Sequence, residues 1–116
     1  HFLKKNQEKN KSFAQLKEGN GTLKSELSYQ IIKELDSYFL LEVKPITGRH
    51  HQIRVQLSKI GSPIKGDVKY GAKRTNKDAS IHLHARTIEF IHPIKKEKTT
   101  IIAPPPASDA IWKACI

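Results

Sequence analysis

Residues 44–61 read KPITGRHHQIRVQLSKIG, and in this stretch the chain changes from strand to helix. Pro45 cannot donate to a ladder, so the strand arriving there ends. Thr47-Gly48 then turns the chain, and a helix is predicted from about His50 to Ile60. Ile53, Leu57 and Ile60 fall at i, i+4 and i+7 and make one apolar stripe. Gly61 and Pro63 stand where a helix stop belongs. His50 and Arg54, four apart, share one face, which Ser58 continues. Arg54 lies between Ile53 and Val55, so its stem should be partly buried. A guanidinium held there wants a flat, two-pronged anion and is costly to leave unpaired. Arg49, at the helix start, is placed to meet a phosphate alongside free backbone amides. The blander reading pairs Arg54 with Glu42 or Glu89 and leaves the histidines as caps.

Working outward, Tyr29–Leu35 (YQIIKEL) and Tyr38–Ile46 (YFLLEVKPI) are β-branched and aromatic enough for two strands. Asp36-Ser37 is the two-residue loop of an antiparallel hairpin. Residues 1–28 are rich in Lys, Asn, Gln and Glu and are read as a polar, partly mobile, hairpin-like lead-in, with a turn at Asn20-Gly21. Residues 62–77 form a glycine-punctuated loop. Ile81–Ile91 reads as a strand and its approach, and Thr99–Ala103 as another. Pro104–Pro106 is a stiff bridge to a short helix, capped by Ser108 or Asp109 and running through Cys115. The fold class is α+β, a mostly antiparallel sheet with few helices.

The chain has 116 residues, 37% of them hydrophobic, which suits one domain with a modest core. No apolar run is long enough to span a bilayer, and the single Cys115 excludes an internal disulfide framework, so a cytoplasmic setting is expected. The net charge of +10 is uneven: between Lys44 and Lys77 nine basic residues face one acid, Asp67, while the rest is near balance. Such a stretch points to a polyanionic partner, of which nucleic acid is the commonest.

The run TGRHHQIRVQLSKIGSPIKGDVKYG, residues 47–71, resembles the signature of the RluA-type pseudouridine synthases, T-G-R-x-H-Q-I-R-V-H-L, then I-G-x-P-I-x-G-D, then Y-G. LHAR at 83–86, F-x-H-P at 90–93 and the closing APPP also match. Gln56 stands where many members have His. The resemblance implies isomerisation of uridine in structured RNA, ribosomal RNA first and transfer RNA second. It implies neither metal nor organic cofactor, no membrane and no obligate protein partner. By motif, Arg54 pairs with the family's catalytic aspartate, and Ile53 lines the pocket. Arg49, His50, His51, Gln52, Lys65, Lys69, Tyr70, Lys73 and Arg74 are the candidate RNA-binding residues.

The aspartate belongs to an H-R-L-D block that these residues do not contain. Asp36, Asp67, Asp78 and Asp109 each have a turn or capping reading instead. With His1 leading and no Met anywhere, the expectation is that residues 29–116 are the C-terminal half of a catalytic domain, inactive by itself. Two rival functions compete with this reading. One is a metal site on His82-x-His84 with His50, His51 or His92. The other is a basic RNA-binding module that never catalyses, for which the aromatic content is thin.

Overall fold

The structure, a computed structural model, describes residues 1–106 and 109–115. It is α+β, with antiparallel sheets and few helices, and forms two compact units, His1–His82 and Leu83–Ile116.

In the first unit, β1 (Phe2–Asn6) pairs antiparallel with β2 (Lys11–Gln15), and β3 (Leu23–Lys24) joins the other edge of β1. The register sets Leu3 opposite Ala14 and Lys5 opposite Ser12. Partners directly opposite share a face, and this face turns inward: Leu3 and Ser12 are buried. The Asn20-Gly21 turn, with Gly21 at φ 74°, carries the chain from β2 across to the far edge of β1. The lead-in expected over 1–28 is therefore part of the packing, and the unit shows no division near residue 28. Apart from Leu3, its buried inward positions are small or polar, so alternation was hard to see among the lysines.

β4 (Leu27–Glu34) and β5 (Phe39–Pro45) form the predicted hairpin, with Asp36-Ser37 between a Leu35–Tyr38 backbone bond of 2.8 Å. A bulge between Ile31 and Lys33 shifts the register. Tyr29, Ile31, Ile32 and Phe39 stay exposed on this hairpin.

α1 (Gln52–Lys59) begins two residues later than predicted, because His51 adopts a left-handed φ of 52°. It ends in a paired C-terminal lock. Gly61, at φ 90°, donates to Ser58 O and Ser62 donates to Leu57 O, so two carbonyls of the last turn are satisfied. The predicted stripe is corrected: Val55 and Leu57 are buried, but with them are Gln52 and Gln56, while Ile60 is half exposed. Counting apolar residues missed two glutamines whose amides find backbone partners. Gln52 Nε2 donates to Glu26 O at 2.9 Å, and its Oε1 accepts from Thr47 Oγ1 and Arg49 N. Gln56 Nε2 donates to Ser25 O at 3.3 Å.

Leu3, Val55 and Tyr70 form the core, with Ala14 against them. Among the described residues, five buried apolar side chains stand beside five buried polar ones: Ser12, Ser25, Gln52, Gln56 and Asp67. Buried polar groups must be hydrogen-bonded to be tolerated. This interior is held as much by directed bonds as by apolar contact.

In the second unit, β6 (Thr87–Ile91) and β7 (Lys98–Ile102) pair antiparallel. Of Ile81–Ile91, read as a strand and its approach, the strand occupies Thr87–Ile91. α2 (Ala110–Cys115) is capped by Asp109 Oδ1, which accepts from Ile111 N at 2.8 Å and Trp112 N at 3.1 Å. Ser108, the other capping candidate, lies outside the described residues. His84 Nε2 donates to Ala103 O at 2.8 Å.

Candidate active site

α1 sets His51 and Arg54 three residues apart, on one side of its first turn. The loop that follows returns with Gly66 at φ 86°, where an added Cβ would fall 2.8 Å from the Ser80 carbonyl. Glycine is needed there, and it delivers Asp67 and a short 3-10 turn (Val68–Tyr70) against the helix. Ser58 Oγ ties that turn down through Tyr70 O.

Asp67 is 1% exposed, and both its oxygens meet Arg54: Nε–H donates to Oδ2 at 2.9 Å and Nη2–H to Oδ1 at 2.7 Å. This is the fork-on-carboxylate geometry that makes arginine pairs strong. Arg54 is one-fifth exposed, and the guanidinium carbon sits 4.9 Å from the Tyr70 ring centroid. The hydrogen bonds from Asp67 raise the Arg54 pKa above its usual value, against the opposing pull of burial.

Arg54 Nη1 also lies 3.2 Å from His51 Nε2. A guanidinium only donates, so Nε2 must be bare and the His51 proton must sit on Nδ1. Nδ1–H then donates to the Tyr70 hydroxyl at 2.7 Å, which also accepts from Ser12 N at 2.9 Å. Ser12 Oγ donates to the His50 carbonyl at 2.9 Å and so takes the Nδ1–H of the His50 ring at 2.8 Å. The two imidazoles stack with centroids 3.7 Å apart. Both have pKa values below 6.5. For His51 the causes are burial, then Arg54, His50 and Lys69, with Asp67 opposing. For His50 they are burial, then Lys5, Lys69 and Arg54.

Three of the five guanidinium N–H groups are therefore used. One on Nη1 and one on Nη2 have no acceptor among the described residues. Arg54 is locked by a carboxylate of its own chain and still presents donors for a second oxygen ligand. Arg54 is therefore not unpaired within these residues, its anion being Asp67, and the Glu42 or Glu89 partner is corrected: Glu42 pairs with Lys44 and Glu89 with Lys98.

The other candidate residues divide. His51 and Tyr70 join the Arg54 network and His50 adjoins it. Tyr70 is only 4% exposed, so its ring is a wall rather than a stacking platform. Gln52 is also buried, its amide bonded as described. Arg49 latches β3, with Nε and Nη2 both donating to Lys24 O at 3.2 and 3.1 Å. Lys65 Nζ donates to Asn76 Oδ1 at 2.5 Å. Lys69, Lys73 and Arg74 are exposed, and Ile53 is partly buried. Among the described residues, no three His, Cys, Asp or Glu side chains gather as a metal-binding group. His82 Nδ1 accepts from Asn76 Nδ2 at 2.9 Å. The sequence reading missed Asp67 and Ser12. One signal was available for Asp67, which is the lone acid among nine basic residues from Lys44 to Lys77.

The chain is basic and α+β, and its buried arginine–carboxylate fork keeps two N–H donors for a further oxygen ligand. Residues 2–59 match the RNA pseudouridylate synthase family. Ribosomal large subunit pseudouridine synthase C of Vibrio cholerae is 36% identical over 86 residues, covering 69% of this chain and 27% of that protein. An uncharacterized RNA pseudouridine synthase of Chloroflexus aurantiacus is 41% identical over 80 residues, covering 68% and 25%. tRNA pseudouridine synthase C of Haemophilus influenzae is 38% identical over 73 residues, covering 57% and 30%. No solved structure matches the chain. The chain belongs to the RNA pseudouridylate synthase family, and it spans about a quarter of the length of these relatives.

Proposed function

We propose that the protein carrying this chain isomerises uridine to pseudouridine in structured RNA, and that Arg54 is the active-site guanidinium. The observation that carries the reading is the pair of N–H groups left on Arg54 once Asp67 and His51 are bonded. A second carboxylate accepting them would stay ionised beside the cation, as a nucleophilic or electrostatic role requires. The family resemblance supplies that carboxylate from an H-R-L-D block, which these 116 residues lack. We therefore expect no turnover from the 116-residue chain alone. Ile53, next to Arg54 on α1, is assigned to the pocket wall.

In the reaction the uridine is flipped from its stack. The bond from C1′ to N1 breaks, one from C1′ to C5 forms, the C5 hydrogen leaves and N1 gains a proton. Ribosomal RNA is the proposed substrate, with transfer RNA second, following the relatives' names. Exposed Lys69, Lys73 and Arg74, with Lys65, Arg49 and the His50–His51 edge, would meet phosphates. We place the protein in the cytoplasm; among the described residues no helix is long and apolar enough to cross a membrane. The test is release of tritium from C5-labelled uridine in each RNA by the full-length gene product. Release from one or both supports the reading, and release from neither contradicts it.

A further inference from the structure

We infer that Asp67, His51 and Tyr70 are positioning residues that hold the Arg54 guanidinium in one fixed plane; this rests on the assignment of Arg54 to the active site. Asp67 gives up both oxygens to the Nε–Nη2 edge, with almost no exposure to water. His51 takes an Nη1 hydrogen from the other side. The guanidinium carbon sits over the Tyr70 ring, whose hydroxyl holds His51 through Nδ1. That hydroxyl is itself anchored by the amide of Ser12 on β2, 58 residues away in sequence.

The guanidinium is thus bonded on two edges and packed on a ring by groups from two segments, residue 51 and residues 67–70, with Ser12 of β2 behind them. A side chain with four rotatable bonds is ordered before any substrate arrives. Donors fixed in advance need not reorganise when charge develops, which is where preorganised sites gain most. The backbone of His51 supports the same reading. Its left-handed φ of 52° is strained for a non-glycine residue, and such strain persists where surrounding bonds over-determine the conformation. At His51 the bonds are those to Tyr70 and Arg54.

The arrangement works only with Nε2 unprotonated. The groups facing His51 are Arg54, His50, Lys69, Asp67 and the Tyr70 hydroxyl, and Lys5 acts on the neighbouring His50. Once His51 is protonated, its Nε2–H would face the Arg54 N–H and free the Nη1 edge of the guanidinium.

The experiment uses the full-length gene product and two conservative variants. Tyr70→Phe keeps the ring and deletes the hydroxyl. It should lower kcat about tenfold with KM for RNA unchanged, a fraction of the loss that a 1 Å misplacement can cause. His51→Gln keeps a side-chain acceptor but cannot titrate, so the acid limb of the kcat profile should disappear. Wild-type kcat and pH profile in both folded variants would overturn the inference. A parallel measurement needs no variant: the Arg54 Nε hydrogen should exchange with solvent far more slowly than that of exposed Arg74, and equal rates would overturn it. The two levels separate cleanly. If Arg54→Ala converts uridine normally, the functional reading fails. If Arg54→Ala is inactive while Tyr70→Phe and His51→Gln behave as wild type, only the positioning role fails.

Discussion

Removing either partner of the Arg54–Asp67 pair strands a charge, and the two losses are unequal. Arg54→Ala leaves a carboxylate with 1% exposure and no cation, which should cost about 3 kcal/mol. Asp67→Asn leaves a guanidinium that is one-fifth exposed and keeps an amide oxygen to meet, so about 1–2 kcal/mol is expected. Urea denaturation of the two variants should rank them in that order. The stacked histidines add a pH dependence. Both folded-state pKa values lie below 6.5, so from 6.5 downward the unfolded chain binds more protons than the folded one. Stability is therefore full above 6.5 and falls as pH drops toward the lowered values. The urea midpoint should be lower at about pH 5 than at about pH 7.5, and His50→Gln/His51→Gln should shrink that difference. At this scale the need of Arg54 for a flat anion was legible in its flanking Ile53 and Val55. The identity of the anion was not. A Gly-Asp pair reads as a turn, and nothing local says that the turn folds back onto a helix thirteen residues earlier.

Among the elements, the glycines after α1 offer a controlled comparison. Gly61 and Gly66 have similar left-handed φ values, 90° and 86°, but a Cβ on Gly61 meets open space, while one on Gly66 meets Asn76 and the Ser80 carbonyl. Gly61→Ala should cost only the conformational term, about 1–2 kcal/mol. Gly66→Ala adds a backbone clash and should cost more, since the loop that carries Asp67 must shift. Thermal unfolding of both measures the difference. The β4–β5 hairpin and the end of α1 were readable because β-branched runs, Asp36-Ser37 and Gly61 carry their own local chemistry. The inward face of β1 and β2 was hidden, since Ser12 does a buried residue's work without an apolar side chain. Gln52 and Gln56 concealed the packed face of α1 in the same way, because periodicity counts methyl groups and not amides that find carbonyls.

For the molecule as a whole, the basic excess between Lys44 and Lys77 survives folding only in part. Arg54 is neutralised by Asp67, Arg49 is turned onto Lys24 O, and Lys69, Lys73 and Arg74 are among the basic side chains left facing outward. Neutralising each of these three should weaken RNA binding and reduce the slope of log affinity against log salt by about 0.7–0.9. Salt titrations of the single variants would read this directly, and an unchanged slope would place that side chain in solvent. Charge bias pointed to a polyanion from sequence alone, and the four motif blocks pointed to the family. The internal lock on the arginine became visible only in three dimensions. The most direct test is C5 tritium release from uridine-labelled RNA by the full-length gene product, wild type against Arg54→Ala. A loss of about a thousandfold in kcat, the upper range for deleting one preorganised donor group, with RNA still bound, is the predicted result. Conversion at the wild-type rate by Arg54→Ala would contradict the account.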